Sequence, residues 1–309
     1  MIVARIDHWL TRLGPPHLIA ILRILFGAYM LLYFGVHIPS VAILYSNAGL
    51  AIPYDLSLML PNFPLLPYLQ YFLAPPSPEI SYLLYGLMLA SLLSLTIGCR
   101  TRTSALASFL FYLYYNFLSF HNYSTSYNRL FLFFLFLFIF SGAGKTFSVE
   151  MWRKYGSPLA WEPVSVLIQR IIAIQITMTY LGVAWQKTWL PAWQGGEVLY
   201  YSFQGMWATP LAWFTVRLPI PMWVYDALVI LVKVMEVSFP MGFWIKKLRW
   251  YAFALGIFFH VSVTLFLAAI WWFYAMIACY ITFFDPEEVY ERMRIWIPKI
   301  PSSPSSSPA

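Results

Sequence analysis

Eight times along this chain an apolar run approaches the length of a bilayer crossing, and that recurrence constrains the fold more than any other feature. A crossing helix needs about 20 mostly apolar residues. Runs of this kind fall near 18–38, 80–98, 103–120, 125–143, 164–185, 223–243, 251–268 and 270–284. Hydrocarbon offers no water to the backbone N–H and C=O groups, so each run is expected to be helical. The strands of an outer-membrane barrel would alternate apolar and polar residues, and these runs do not. At 61% hydrophobic and 10% charged residues, the chain lies outside the soluble globular class. The expected fold is an all-α, polytopic membrane bundle of eight transmembrane helices with aromatic-rich outer loops, over residues 1–290. Residues 291–309, ending in PSSPSSSPA, read as a cytoplasmic low-complexity tail. The first run is preceded by several charges and lacks a small-residue cleavage pattern, so it reads as a retained helix.

Charge placement orients this bundle. Arg5 and Arg12 precede the first run, Arg100 and Arg102 separate the second and third, and Lys145, Arg153 and Lys154 follow the fourth. Lys246, Lys247 and Arg249 follow the sixth, and Arg292, Arg294 and Lys299 the eighth. With eight crossings every cluster falls on one side, which the positive-inside rule makes cytoplasmic. Both termini are then inside, in a membrane of the bacterial inner type. The net charge of +7 reflects topology and gives no reason to expect nucleic acid as a partner. Residues 250–284 contain no Pro and only Gly256, yet must cross twice to bring the tail back. A tight turn near Ala268–Trp272, with Trp271 and Trp272 at the interface, does this; a single long tilted helix is the alternative and would leave the tail outside. Segments 39–79 and 186–222 are apolar, rich in Pro and Trp and poor in basic residues, and are expected to lie in the interface or fold over the bundle as a lid. Cys99 and Cys279 map to the cytoplasmic ends of their helices, where a disulfide is not expected, and no metal-ligand spacing involves them.

The chemistry must come from a few polar residues. SGAGKT at 141–146 imitates a phosphate-binding loop, but position 139 is Ile where that motif needs Gly, and a membrane run precedes it where a strand is required. The Asn122 glycosylation sequon sits in too short a loop to count for much. Ionisable residues within the runs are a better lead, because they are expensive in hydrocarbon and usually face the protein interior. They are Arg23, His37, His121, Arg129, Arg170, Lys233, Glu236 and His260, with Lys187 just beyond the fifth run. Arg23 and Arg170 lie near helix ends and can snorkel. Lys233 and Glu236 stand three apart on one helix face and are expected to form a structural ion pair. In GVAWQKTWLPAWQGG, residues 182–196, Lys187 stands among Trp185, Trp189 and Trp193 with no acidic residue before Glu197. It reads either as a snorkelling anchor in a tryptophan belt or as a base. For a base, an indole-walled dry pocket would disfavour the ammonium form and leave an amine able to remove a proton.

The ordered residues Arg170, Gln175, Tyr180-Leu-Gly182, Lys187, Trp193 and Gly196 resemble the core motif of the vitamin K-dependent γ-glutamyl carboxylases and of the related horizontally transferred transmembrane (HTTM) proteins. LTIGCRTRTSALASF resembles the family's glycine-then-arginine turn, FHNYSTSYNRLFLFF its polar start of a helix, and GIFFHVSVTLF with ACYITFFDPEE its last two helices. The resemblance covers most of residues 15–290. It implies an outward-facing pocket and an enzyme acting on a reduced quinone, a menaquinol- or phylloquinol-like form of vitamin K. Lys187 would then be the base, oxygen the oxidant and an epoxide the product. Carboxylation of a glutamate by carbon dioxide or bicarbonate would be coupled to this. Asn128, Arg129, Tyr180, Trp185, Trp193 and His260 are the implied quinone-pocket residues. The family's histidine after Asn128 is Arg129 here; arginine is no base near neutral pH, although it can hold a carboxylate or an oxyanion. The family's large outer domain, which binds substrate propeptides, is not expected here, and any substrate protein or peptide is unknown. Two other classes stay open: a quinone-linked oxidoreductase subunit resembling the DoxX-type proteins, and a non-catalytic lipid-binding or assembly protein.

Overall fold

The structure is a computed structural model that describes residues 2–52, 74–119, 126–267 and 274–295. His121, the Asn122 sequon, the turn at 268–272 with Trp271 and Trp272, and the tail from residue 296 lie outside the described residues. In chain order the helices are α1 (Ile2–Thr11), α2 (His17–Gly35), α3 (Val41–Tyr45), α4 (Pro78–Ile97), α5 (Thr101–Leu118), α6 (Ser126–Phe138) and α7 (Val149–Tyr155). They continue with α8 (Leu167–Trp189), α9 (Glu197–Ser202), α10 (Pro210–Thr215), α11 (Met222–Trp244), α12 (Arg249–Phe266), α13 (Tyr274–Cys279) and α14 (Pro286–Met293). Two short strands, β1 (Leu13–Gly14) and β2 (Val164–Ser165), pair antiparallel, with Leu13 opposite Ser165.

Five of these helices, α2, α4, α8, α11 and α12, are long and apolar enough to cross a membrane. The chain is a multi-pass membrane protein. The expected count of eight is not reached among the described residues. Helix α5 has the length, but Arg102, Asn116 and its serines and threonines make it more polar. The 13 residues of α6 rise only about 20 Å, less than the hydrocarbon thickness. The eighth run is broken into α13 and a 3₁₀ turn, Tyr280–Phe283.

The chain forms two compact units, residues 1–168 with 286–309 and residues 169–285. In the first, α4 packs on α2 and α5, α5 packs on α6, and α14 lies against α2. The buried residues of α4, Ser81, Tyr85, Met88, Leu92 and Leu95, recur every three to four positions, so one stripe meets its neighbours while Leu83, Leu87 and Leu93 face outward. Small residues let α4 and α5 approach closely, and Ser91 and Ser108 hydrogen-bond across the contact at 2.9 Å. Arg23 does not snorkel. It is fully buried, and its guanidinium donates to the Phe147 carbonyl at 2.5 Å. Gly98, with φ +70°, ends α4 where any side chain would collide with that guanidinium.

In the second unit α11 packs on α12, and α12 on α10 and α13. A tight glycine contact shows that α12 and α13 do not form one straight helix. A Cβ on Gly256 would meet the Tyr280 ring at 2.7 Å, whereas one straight helix would separate those residues by about 36 Å. The chain has therefore turned back, and the single-helix alternative is excluded. Segment 186–222, expected at the interface or as a lid, folds into a 3₁₀ turn at Pro191–Trp193, α9 and α10 after the end of α8. With Tyr225 of α11 these pieces form a small core of Phe203, Ala212 and Tyr225, against which Leu199, Tyr200 and Phe266 of α12 pack.

Candidate functional site

Helix α8 buries Ala173, Ile176, Tyr180 and Ala184. That three-to-four spacing continues to Lys187, two turns beyond Tyr180, so both polar side chains leave the same face of the helix. The facing stripe of α11 buries Glu236, Phe239 and Phe243. The outcome is an ion pair. Lys187 Nζ lies 2.5 Å from Glu236 Oε1, with the two side chains 13% and 6% exposed. The ammonium also sits 4.2 Å from the Trp193 ring centroid, a cation–π geometry.

Three expectations from sequence are corrected here. Lys187 is not walled by three indoles: Trp185 and Trp189 are largely exposed and pack edge to face on each other at 5.6 Å. They stand two positions either side of Lys187, which in a helix is nearly the opposite face. Nor does the lysine lack an acid, since Glu236 arrives from a helix 49 residues away. The expected Lys233–Glu236 pair is not what forms. Glu236 is committed to Lys187, and Lys233 donates instead to the Trp193 carbonyl at 2.6 Å. Asp226, two turns before Lys233 on α11, accepts a hydrogen bond from the Gly196 N–H at 2.6 Å. The segment carrying Trp193 is thus pinned by α11 at two points, which hold the indole ring under the Lys187 ammonium.

Tyr180 and His260 are brought together, as members of a buried network that sequence reasoning left one residue short. The Tyr180 hydroxyl hydrogen-bonds with His260 Nε2 at 2.6 Å and with the Tyr280 hydroxyl, and His260 Nε2 lies 2.8 Å from the Tyr280 hydroxyl. Three helical segments, α8, α12 and the 3₁₀ turn after α13, each supply one member. The Tyr180 ring also packs edge to face on Phe239, one turn from Glu236. Tyr280 gave no local signal, because a tyrosine in an apolar run is ordinary until its partners are known. At the other end of α8, Gln169 donates to the carbonyls of Thr282 and Phe284, and Arg170 lies 3.8 Å from Asp285.

Asn128 and Arg129 belong to the first unit and do not share a site there. Asn128 is buried and its Oδ1 accepts from the Tyr112 hydroxyl at 3.2 Å, beside a cavity of about 10 Å³, which holds at most one water. Arg129, the next residue along α6, is exposed. The imitation phosphate loop follows helix α6, and its Lys145 is paired with Glu162 at 2.6 Å. Among the described residues no group of three or more His, Cys, Asp or Glu side chains could hold a metal ion.

The HTTM domain matches residues 12–287. No curated protein and no solved structure matches the chain.

Proposed function

Because the chain belongs to the HTTM domain family, we propose that it is a membrane enzyme of the vitamin K-dependent carboxylase type, acting on a reduced quinone with Lys187 at the point of deprotonation. One observation carries this reading: a lysine and a glutamate, both largely buried, meet at 2.5 Å against the face of Trp193. An ion pair in so dry a position is costly to build, and replacing it by apolar residues often stabilises a protein. A purely structural role is therefore a weak reason to keep it. Water exclusion strengthens whatever electrostatic work the pair does on a reacting group.

The residues fit a hydroquinone on one further count. Glu236 Oε2 is buried and has no hydrogen-bond partner among the described residues, so the pair has an acceptor to offer a phenolic hydroxyl. Lys187 and Glu236 would hold the hydroxyl, and Trp193 would exclude water from it. A bound reduced quinone supplies, with oxygen, the oxidation that ends in an epoxide. We further propose eight crossings with the basic clusters inside, which turns the Lys187 end of α8 outward. The exposed Arg129 and the Tyr112-bonded Asn128 lend no support to carboxylation of a glutamate.

The test is quinol epoxidation by the purified protein without any peptide. Lys187→Arg keeps the charge and the reach that a membrane anchor needs. Its guanidinium cannot act as a base, and its fork pairs with both oxygens of a carboxylate. The expected result is a well-folded protein with activity lost. Full activity in Lys187→Arg, or a bound lipid in the wild type with no turnover of any quinol, would end the proposal.

A further inference from the structure

Resting on that reading, we infer that Glu236, not Lys187, ends the deprotonation one proton richer, and that the pair is built to receive one hydroxyl group. A lysine ammonium has three protons and a carboxylate two oxygens. In the buried pair one proton of Lys187 goes to Glu236 Oε1, and the Trp193 face takes the charge from a second side. Left over are an acceptor, Oε2, which is buried without a partner among the described residues, and a remaining N–H donor on the adjacent ammonium. An acceptor and a donor side by side are the complement of a hydroxyl, whose O–H donates while its oxygen accepts. An ether or a carbonyl satisfies only one of the two.

The proton balance follows from the pairing. The hydroxyl O–H bond breaks, its proton forms a bond to Glu236 Oε2, and the electron pair stays on the oxygen facing Lys187. An alternative order reaches the same end: Lys187 passes a proton to Glu236 and then takes the substrate's. By either route Lys187 finishes as an ammonium and Glu236 as a carboxylic acid. The glutamate therefore sets the site's capacity for a proton, and the lysine supplies the charge that stabilises what is left. The anchoring of Trp193 by Lys233 and Asp226 has a role here too, since a displaced indole would let water take the hydroxyl's place.

The experiment uses menadiol as the probe under anaerobic conditions, with its dimethyl ether as the control that lacks both hydroxyls. Binding to the full-length protein is measured at equilibrium, and infrared difference spectra with isotope-labelled glutamate follow the C=O band of a protonated side chain. The wild type should bind menadiol at least about tenfold more tightly than the ether, as expected for one buried hydrogen bond to a charged group. It should also gain the carboxylic-acid band. Glu236→Gln should lose both, and Glu236→Asp should weaken both while keeping the band. Equal affinity for menadiol and ether would mean that the pair holds only water; this outcome, or a band that persists in Glu236→Gln, overturns the inference while leaving the quinol reading intact. A wild type that binds neither compound removes the quinol reading and the inference together. If Glu236→Gln does not fold, the wild-type ether comparison and band, with Glu236→Asp, still decide.

Discussion

At the residue scale, the two lysines near Glu236 differ in what they hold, and their mutants should differ accordingly. Lys187 is the counter-charge of a buried carboxylate, so Lys187→Met leaves that charge alone and should cost about 3–5 kcal/mol of stability. Lys233 is only half-buried and donates to a carbonyl, so Lys233→Met should cost about 1–3 kcal/mol. A double-mutant cycle in detergent should therefore find strong coupling between Lys187 and Glu236 and near-additivity between Lys233 and Glu236. The reverse ordering would reinstate the pairing that spacing alone suggested. That suggestion shows what a sequence hides: helical periodicity says which side chains share a face, but the choice of partner is made by another helix. Lys187, Tyr180, Trp193 and His260 could each be singled out in the sequence as unusual for their surroundings. Glu236 was visible but given the wrong partner, and Tyr280 was invisible.

At the scale of elements, the runs that form α4, α8 and α11 were legible by apolar length, but the stripe that each buries was not, since α4 also carries Leu83, Leu87 and Leu93 on its outer side. The turn between α4 and α5 was legible too, through Gly98. The segment between α6 and α8 was not, because it has no apolar periodicity and is shaped by polar contacts within it. Between α6 and α8, Gly142 adopts φ +64°, Ser148 caps α7 by accepting from the Met151 N–H, and Glu162 gathers Lys145, Lys154 and the Tyr155 hydroxyl. The hydrogen bond from Lys145, followed by those from Lys154 and Tyr155, holds the Glu162 carboxyl down at about 2. A carboxylate whose folded value lies below its unfolded one adds stability that is complete above the unfolded value, 4.5. That stability is lost as the pH falls through the folded value. Because the cluster is partly solvated, its worth is at most about 1 kcal/mol. The melting temperature of the wild type should thus fall between pH 5 and 3 by more than that of Glu162→Gln. Parallel curves for the two proteins would show that the cluster contributes nothing to folding.

At the scale of the whole molecule, the orientation can be tested without knowing how many helices cross. Between residues 145 and 200 the described chain holds one helix of crossing length, α8, and between 200 and 249 one more, α11. Reporter fusions after residues 145, 200 and 249 should consequently read inside, outside and inside if the basic clusters mark the cytoplasm. A separate fusion after residue 122 addresses α5, whose polar residues reduce its fitness as a crossing; it should read outside if α5 and α6 form a pair of crossings. The position at 200 is the decisive one, because it lies just past the Lys187 end of α8 and the 3₁₀ turn that carries Trp193. A cytoplasmic reading there would reverse the bundle and put the Lys187–Glu236 pair at the inner face. Its hydroxyl-binding chemistry would survive that reversal, since the pairing is internal to the second unit, but the outward-facing pocket would not.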